Sequence, residues 1–180
     1  SFIYILLLRR GFLCNFVVHE NPASMLETLN TPKKDYYSPS HTAEHILNQT
    51  MIRMFGTNRS VSNHIEKKKS KCDYQIDRDL SKAELEALEN EVNIIISQRL
   101  DVTESFVKRD ETTLDLSKLP QEAGDLVRVI SVGDYDHCPC IGEHVENTSE
   151  IGTFKIISSE YNSQSQILRI RWKLSFFYSE

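Results

Sequence analysis

The spacing of apolar residues changes along the chain, and this change constrains the fold more than any other feature. In the first half the spacing is helical. Ser81 and Glu84 have the pattern of a capping box, which predicts that a helix begins there. The apolar stripe of this helix consists of Leu85, Leu88, Val92 and Ile95. Beyond about residue 100 the spacing becomes that of strands, so we expect helices in the first half and strands mainly in the second.

Three strand-like segments follow that helix, with turn residues between them. They are LVRVISV (126–132), GTFKIISSEY (152–161) and ILRIRWKL (167–174). In the last segment apolar residues alternate with Arg169, Arg171 and Lys173, which predicts one buried face and one cationic face. Two earlier segments, VSNHI and KCDYQID, predict a hairpin around a basic run. We therefore expect an α+β domain, in which an antiparallel β-sheet packs against two main helices.

Length and charge limit the number of domains and the class of partner. A chain of 180 residues that is 39% hydrophobic builds one well-buried core. We expect this domain over residues 37–174, after an N-terminal extension (1–36) and before a short tail (175–180). The apolar start FIYILLL is too short to span a membrane, so we expect no membrane partner, and our hypothesis is that translation begins at Met25. The net charge of -5 argues against coating nucleic acid by bulk electrostatics.

Cysteine usage indicates the redox compartment. The chain has four cysteines, which do not form the dense framework of a small secreted domain. Cys138 and Cys140 also lie too close together for an easy mutual disulfide. We therefore expect reduced thiols and a cytoplasmic protein.

Two short motifs carry the residues best suited to chemistry. The first, HTAEH, lies on a helix predicted to have Ser38 as its N-cap and to end at Gly56, and it places His41 and His45 one turn apart on one face. The second, DHCPCIGEHV, places Cys140 and His144 four residues apart. Three imidazoles and one thiolate are donors that Zn²⁺ favours and that hard cations do not. The sequence therefore predicts a zinc site, provided that the two motifs meet in space.

HTAEHIL and CIGEHV together resemble the paired motifs of the second additional domain shared by alanyl- and threonyl-tRNA synthetases. They also resemble those of free-standing alanyl-tRNA editing proteins, and the similarity runs from about residue 41 to residue 174. The resemblance implies an editing-type fold and ester hydrolysis on mischarged aminoacyl-tRNA by a zinc-dependent, trans-acting hydrolase. Seryl-tRNA(Ala) is the first expected substrate and seryl-tRNA(Thr) the alternative. It further implies a metal site formed by His41, His45, Cys140 and His144.

Catalysis of this kind needs an activated water. Either zinc lowers the pKa of the water, or zinc holds the substrate amine and a side chain positions the water. Our catalytic predictions are Glu44 and His41. Basic residues are candidate contacts to the tRNA acceptor stem. They are Lys67, Lys68, Lys69, Lys71, Arg169 and Arg171.

Two other interpretations remain open from the residues alone. HTAEH is also the H-x-x-E-H pattern of inverted zinc peptidases, in which the glutamate is the general base. Four protein ligands can also close a tetrahedral site, which is the pattern of structural zinc in a non-catalytic module.

Overall fold

The computed structural model describes residues 37–114, 116 and 125–176. The predicted N-terminal extension with Met25 and the end of the tail lie outside the described residues. Helix α1 spans Ser38–Phe55 and helix α2 spans Lys82–Ser97. The strands are β1 (Ser62–His64), β2 (Ser70–Gln75), β3 (Val102–Lys108), β4 (Leu126–Val132), β5 (Asp136–Pro139), β6 (Thr153–Asn162) and β7 (Ile167–Ser175), with a short 3-10 helix at Thr148–Glu150.

All strand pairings are antiparallel, and the α+β class is confirmed. The strands form two sheets rather than one: a four-stranded sheet in the order β1-β2-β7-β6 and a three-stranded sheet in the order β3-β4-β5. Strands β3 and β5 were not predicted. The first is mostly exposed and has no continuous apolar face, and the second has only four residues, so neither leaves a strong pattern.

The local patterns of α2 and β7 are confirmed. The Ser81 and Glu84 side chains form the capping box, and Leu88, Val92 and Ile95 are buried. Along β7 the apolar residues are buried while the alternating basic residues face outward. The main core is shared by α1, α2 and the inner face of the four-stranded sheet.

Helix α1 begins one residue earlier than predicted. Tyr37 is the N-cap, and its carbonyl accepts the backbone N–H of His41 at 3.0 Å, so the prediction of Ser38 as N-cap was wrong. The reason is that the Ser38 carbonyl already belongs to the first turn, where it accepts the hydroxyl of Thr42 at 3.1 Å. Gly56 ends the helix in the left-handed region, with φ of 66°, which costs glycine little.

Helix α1 packs against α2 and against strands β4 and β5. The face that carries the two histidines of HTAEH is therefore brought to the strand that precedes CIGEH. In the part of the chain that the structure describes, no helix is both long and apolar enough to cross a membrane.

Candidate metal centre

The four residues of the two motifs converge on one point. His41 Nε2 lies 3.4 Å from Cys140 Sγ, and His144 Nε2 lies 3.5 Å from the same sulfur. The donor atoms of His41, His45, Cys140 and His144 all lie within 4.8 Å of one another. Around a tetrahedral zinc ion, donor atoms are separated by about 3.3–3.6 Å. The two nitrogen–sulfur distances already lie in this range, whereas the widest donor separation would have to shorten by up to about 1.2 Å.

Backbone contacts from β4 place the second motif. The Cys140 N–H donates to the Arg128 carbonyl at 3.1 Å. In the other direction, the Arg128 guanidinium donates to the carbonyls of Cys140 at 3.1 Å and Gly142 at 2.8 Å. One arginine therefore holds both sides of the turn that carries the thiol and leads to His144.

Hydrogen bonds to oxygen fix two of the three imidazoles. His41 Nδ1 lies 3.0 Å from the carbonyl of Glu143, and His45 Nδ1 lies 3.1 Å from Asp136 Oδ2. Because a carbonyl and a carboxylate accept, each Nδ1 carries a proton and donates it. In the neutral form of each ring, Nε2 then carries the lone pair that would bind a metal ion.

Thr42 fixes the third imidazole. Its hydroxyl has one proton, which it donates to the Ser38 carbonyl. Its oxygen accepts the Val145 N–H at 3.2 Å and lies 3.1 Å from His144 Nδ1. The Nδ1 of His144 must therefore be the donor, so its Nε2 also presents a lone pair. Metal-binding histidines have this arrangement, in which the second ring nitrogen is held by an outer oxygen.

In the metal-free centre, the electrostatics favour a thiolate at Cys140 and a protonated His45, whose Nε2 proton a metal ion would replace. Burial disfavours the Cys140 thiolate, but the contacts of the sulfur with His144, His41 and His45 outweigh it and lower the pKa of this thiol to about 2. Burial is also the largest cause that lowers the pKa of His144 to about 3. Burial opposes the charged form of His45, yet bonds to Asp136 and Cys140 raise its pKa well above the usual value. A cation is therefore stabilised next to the thiolate, as a metal ion would be.

Comparisons with known proteins agree with this geometry. A family model described as the threonyl and alanyl tRNA synthetase second additional domain matches residues 127–171, a range that includes Cys140 and His144. The chain is 34% identical over 122 residues to the alanine–tRNA ligase of Fervidobacterium nodosum. The chain is therefore similar to the second additional domain of threonyl and alanyl tRNA synthetases. The resemblance that HTAEHIL and CIGEHV indicated is thereby confirmed.

The similarity covers most of this chain and a small part of each relative. The Fervidobacterium nodosum match spans 66% of this chain and 14% of the ligase. The alanine–tRNA ligase of Caldicellulosiruptor saccharolyticus is 33% identical over 126 residues, a match that again spans 66% of this chain and 14% of the ligase. The alanine–tRNA ligase of Bacillus mycoides is 29% identical over 139 residues, a match that spans 76% of this chain and 16% of the ligase. The chain thus corresponds to one segment of these relatives.

Glu44 lies outside the cluster of atoms that could hold a metal ion. Its side chain is 5% exposed, and its Oε1 accepts from Asn48 Nδ2 at 2.6 Å, Asn63 Nδ2 at 3.1 Å and Ser60 Oγ at 3.3 Å. The bonds from Ser60 and Asn63 tie α1 to β1 and to the segment that leads into it. Within the described residues, hydrogen bonds reach Oε1 and not Oε2.

Other candidate groups near the motifs do not join the centre. Cys138 is not among the clustered donors, so the thiol of the second motif that faces the imidazoles is Cys140. His64 pairs with the carboxylate of Glu66, and His137 with the hydroxyl of Ser131. Among the described residues, the cluster that could hold a metal ion thus consists of the two predicted pairs.

The predicted basic contacts fall into two groups. Arg169 forms two hydrogen bonds to Asp73, at 2.7 and 2.8 Å, and Lys71 lies 3.3 Å from the same carboxylate. Arg171 pairs with Glu160 at 3.3 Å. These charges are largely neutralised.

The other group is the exposed loop between β1 and β2, formed by Lys67, Lys68 and Lys69. Within the described part of the chain, none of the three lysines forms an ion pair. Ser40 donates to the carbonyl of Glu66 at 3.1 Å, so this loop is attached to α1 immediately before His41. The unneutralised positive charge therefore adjoins the first turn of α1, which carries His41.

Sequence reasoning missed the groups that orient the imidazoles. Thr42 lies inside HTAEH and Asp136 is the first residue of DHCPCIGEHV, so both stood within the motifs. Neither role can be predicted from sequence spacing, because each residue and its partner are far apart in the chain. Thr42 and His144 are separated by 102 residues, and Asp136 and His45 by 91.

Proposed function

We propose that the chain is a zinc-dependent deacylase that hydrolyses the ester bond of mischarged aminoacyl-tRNA, with seryl-tRNA(Ala) as its first substrate. The observation that carries the proposal is the convergence of three oriented imidazoles and one thiolate in an editing-type domain. The alanine–tRNA ligases among the relatives favour tRNA(Ala) over tRNA(Thr). We further propose that the protein acts in trans and in the cytoplasm.

The donor set fits zinc. Thiolate and neutral imidazole are soft and borderline ligands, which suit Zn²⁺ better than Mg²⁺ or Ca²⁺. His41, His45, Cys140 and His144 would hold the ion through three Nε2 atoms and one Sγ. Bound there, zinc would supply Lewis-acid chemistry, which polarises an ester carbonyl and makes water more acidic.

Differences in burial suggest where the substrate enters. His41 and His45 are 7% and 3% exposed, whereas Cys140 and His144 are only partly buried. The helix therefore closes one side of the centre, and the CIGEH turn forms its accessible side. The ester would approach along this turn while α1 keeps the two buried imidazoles in place.

Glu44 keeps its predicted catalytic role in this proposal. Three donors fix Oε1, which leaves Oε2 as the oxygen that would accept a proton from water. His41 acts as a ligand, and the carbonyl of Glu143 maintains its tautomer.

The lysine loop is the proposed contact to tRNA phosphates. Lys67, Lys68 and Lys69 are exposed and adjoin the first turn of α1 through the Ser40–Glu66 bond. Phosphate contacts fix the position of a nucleic acid without reading its sequence. The loop would therefore hold the acceptor end while the aminoacyl ester reaches the metal centre.

Closed structural zinc is the competing proposal, because four protein donors can complete a tetrahedron. Deacylation assays separate the two. The full chain, loaded with one equivalent of zinc, would be assayed on seryl-tRNA(Ala), seryl-tRNA(Thr), alanyl-tRNA(Ala) and a labelled peptide. We expect the first substrate to be hydrolysed fastest and a chelator to abolish turnover.

Cysteine variants provide a matched control. Cys140→Ala should lose deacylation, while Cys138→Ala, two residues away and outside the donor cluster, should retain it. Peptide cleavage with intact aminoacyl-tRNA would favour the inverted peptidase. A protein that binds zinc, hydrolyses none of the substrates and unfolds when zinc is removed would favour the structural module.

A further inference from the structure

A buried carboxylate connects the metal centre to a cation that is not a ligand. The side chain of Asp136 is 1% exposed, and each of its oxygens has a partner. Oδ2 accepts from His45 Nδ1 at 3.1 Å, and Oδ1 accepts from Arg59 Nη2. The three groups form a chain in which the arginine holds one oxygen and the histidine the other.

The backbone that carries Asp136 is fixed on α1. The preceding residue, Tyr135, has its hydroxyl 2.9 Å from Thr50 Oγ1. Its carbonyl accepts from Arg53 at 2.7 Å, and the Arg53 guanidinium lies 4.0 Å from the centre of its ring. Asp136 itself pairs with Val132 in the β4–β5 ladder. The carboxylate is therefore presented to α1 from a turn with little freedom to move.

Arg59 comes from the segment that follows α1, and its side chain is 21% exposed. Its Nη1 is buried and has no hydrogen-bond partner in the described structure, and its ion pair is formed with Asp136 through Nη2. A mostly buried guanidinium is costly unless it is paired. The ion pair with the Asp136 carboxylate therefore explains the buried position of the guanidinium.

We propose that Arg59 and Asp136 are positioning residues that hold the His45 ring for metal binding and thereby set the zinc affinity of the centre. By fixing Oδ1, Arg59 keeps Oδ2 directed at His45 Nδ1. That bond keeps the ring in the tautomer and orientation that present Nε2 to the ion. The inference rests on the proposed zinc centre and adds to it two residues that contact neither ion nor substrate.

The test is zinc affinity, measured by competition with a chromophoric chelator, with the absorption spectrum of the Co²⁺-loaded protein as a second readout. Asp136→Asn should weaken zinc binding about 10–100-fold, the usual loss when an outer partner of a ligand is changed. Asp134→Asn is the matched control. It makes the same chemical change at an exposed position of the same turn and should leave the affinity unchanged.

Arg59 variants test whether the arginine acts through the carboxylate. Arg59→Gln should weaken zinc binding by less than Asp136→Asn does, and Arg59→Lys should restore most of the affinity. In the Asp136→Asn background, Arg59→Gln should have no further effect, because its target is already changed. A structural role alone would lower the stability of the metal-free protein without this non-additive pattern in affinity.

Each outcome of these measurements either supports or overturns the inference. Wild-type affinity in folded Asp136→Asn overturns the inference, as does a loss from Arg59→Gln that is equally large in both backgrounds. If Asp136→Asn does not fold, as judged by circular dichroism, unchanged affinity in Arg59→Gln overturns the inference and a loss supports it. A wild-type protein that binds no zinc would instead overturn the proposed metal centre and this inference with it.

Discussion

The two helices differ in what they bury. The buried residues of α2 are all apolar, and a capping box fixes where it begins. Those of α1 are mostly polar, and no side chain caps its start. The polar residues that α1 buries are Ser40, His41, Thr42, Glu44, His45, Asn48 and Thr50. Helix α2 is thus explained by local rules and packing, while α1 is explained by hydrogen bonds to distant segments that assemble a site.

The largest effect should follow a change on α1 that removes a ligand. His41→Ala should lower zinc affinity and deacylation by more than about 100-fold, beyond the range of an outer partner. Circular dichroism should show that the fold survives, because α1 keeps its apolar contacts through Ile46, Leu47 and Met51. Global unfolding of this variant would mean that the zinc is structural.

A core substitution on α2 should lower the stability of the fold and leave zinc binding unchanged. Leu88 is fully buried, so Leu88→Ala should lower the free energy of unfolding by about 2–5 kcal/mol in urea titrations. The zinc affinity of the protein that remains folded should not change. Leu85→Ala, at a partly buried position of the same stripe, should cost less. A large loss of zinc affinity in Leu88→Ala would mean that the two helices are not functionally distinct.

Glu44→Gln tests whether Glu44, on α1, has a catalytic or a structural role. If Oε2 accepts a proton from water, kcat should fall about 100-fold or more while zinc affinity is kept. Asn48→Ala is the comparison, because it removes one donor to Oε1 and leaves the carboxylate in place. Should both variants lose stability and keep full kcat, Glu44 would be a structural anchor between α1 and β1.

The lysine loop beside α1 should give a smaller effect, confined to tRNA binding. Replacing Lys67, Lys68 and Lys69 by alanine should reduce the slope of log affinity against log salt by about 0.9 for each phosphate that the loop no longer neutralises. Arg169→Ala is the control, since Asp73 already neutralises that guanidinium. An unchanged slope in the triple variant would remove the loop from the proposed interface.

The smallest effect concerns the capping box of α2. Hydrogen bonds from Arg78 and Ser81 lower the pKa of Glu84 to about 2, below its usual 4.5. A lowered pKa stabilises the fold above pH 4.5, and that contribution is lost as the pH falls towards 2. Glu84→Gln should therefore melt slightly below the wild type at pH 7, and the difference should shrink as the pH falls and vanish below about pH 2. A difference that grew on acidification would contradict the assigned bond.

The sequence predicted what local patterns encode. The capping box at Ser81, the stripe of α2 and the alternation of β7 followed from spacing alone, and spacing also singled out the two residue pairs that meet at the candidate metal centre. The split into two sheets did not, because β3 is exposed and β5 is short. Nor did Asp136 and Arg59, since a carboxylate or guanidinium in a polar segment looks like a solvated group until tertiary contacts bury it.

The central claim is that three imidazole nitrogens and one sulfur bind a single ion. Zinc K-edge X-ray absorption of the full chain, loaded with one equivalent of zinc, measures this directly. We predict a first shell of three nitrogens at about 2.0–2.1 Å and one sulfur at about 2.3 Å. A first shell of nitrogen and oxygen without sulfur, or a protein that retains no zinc, would contradict it.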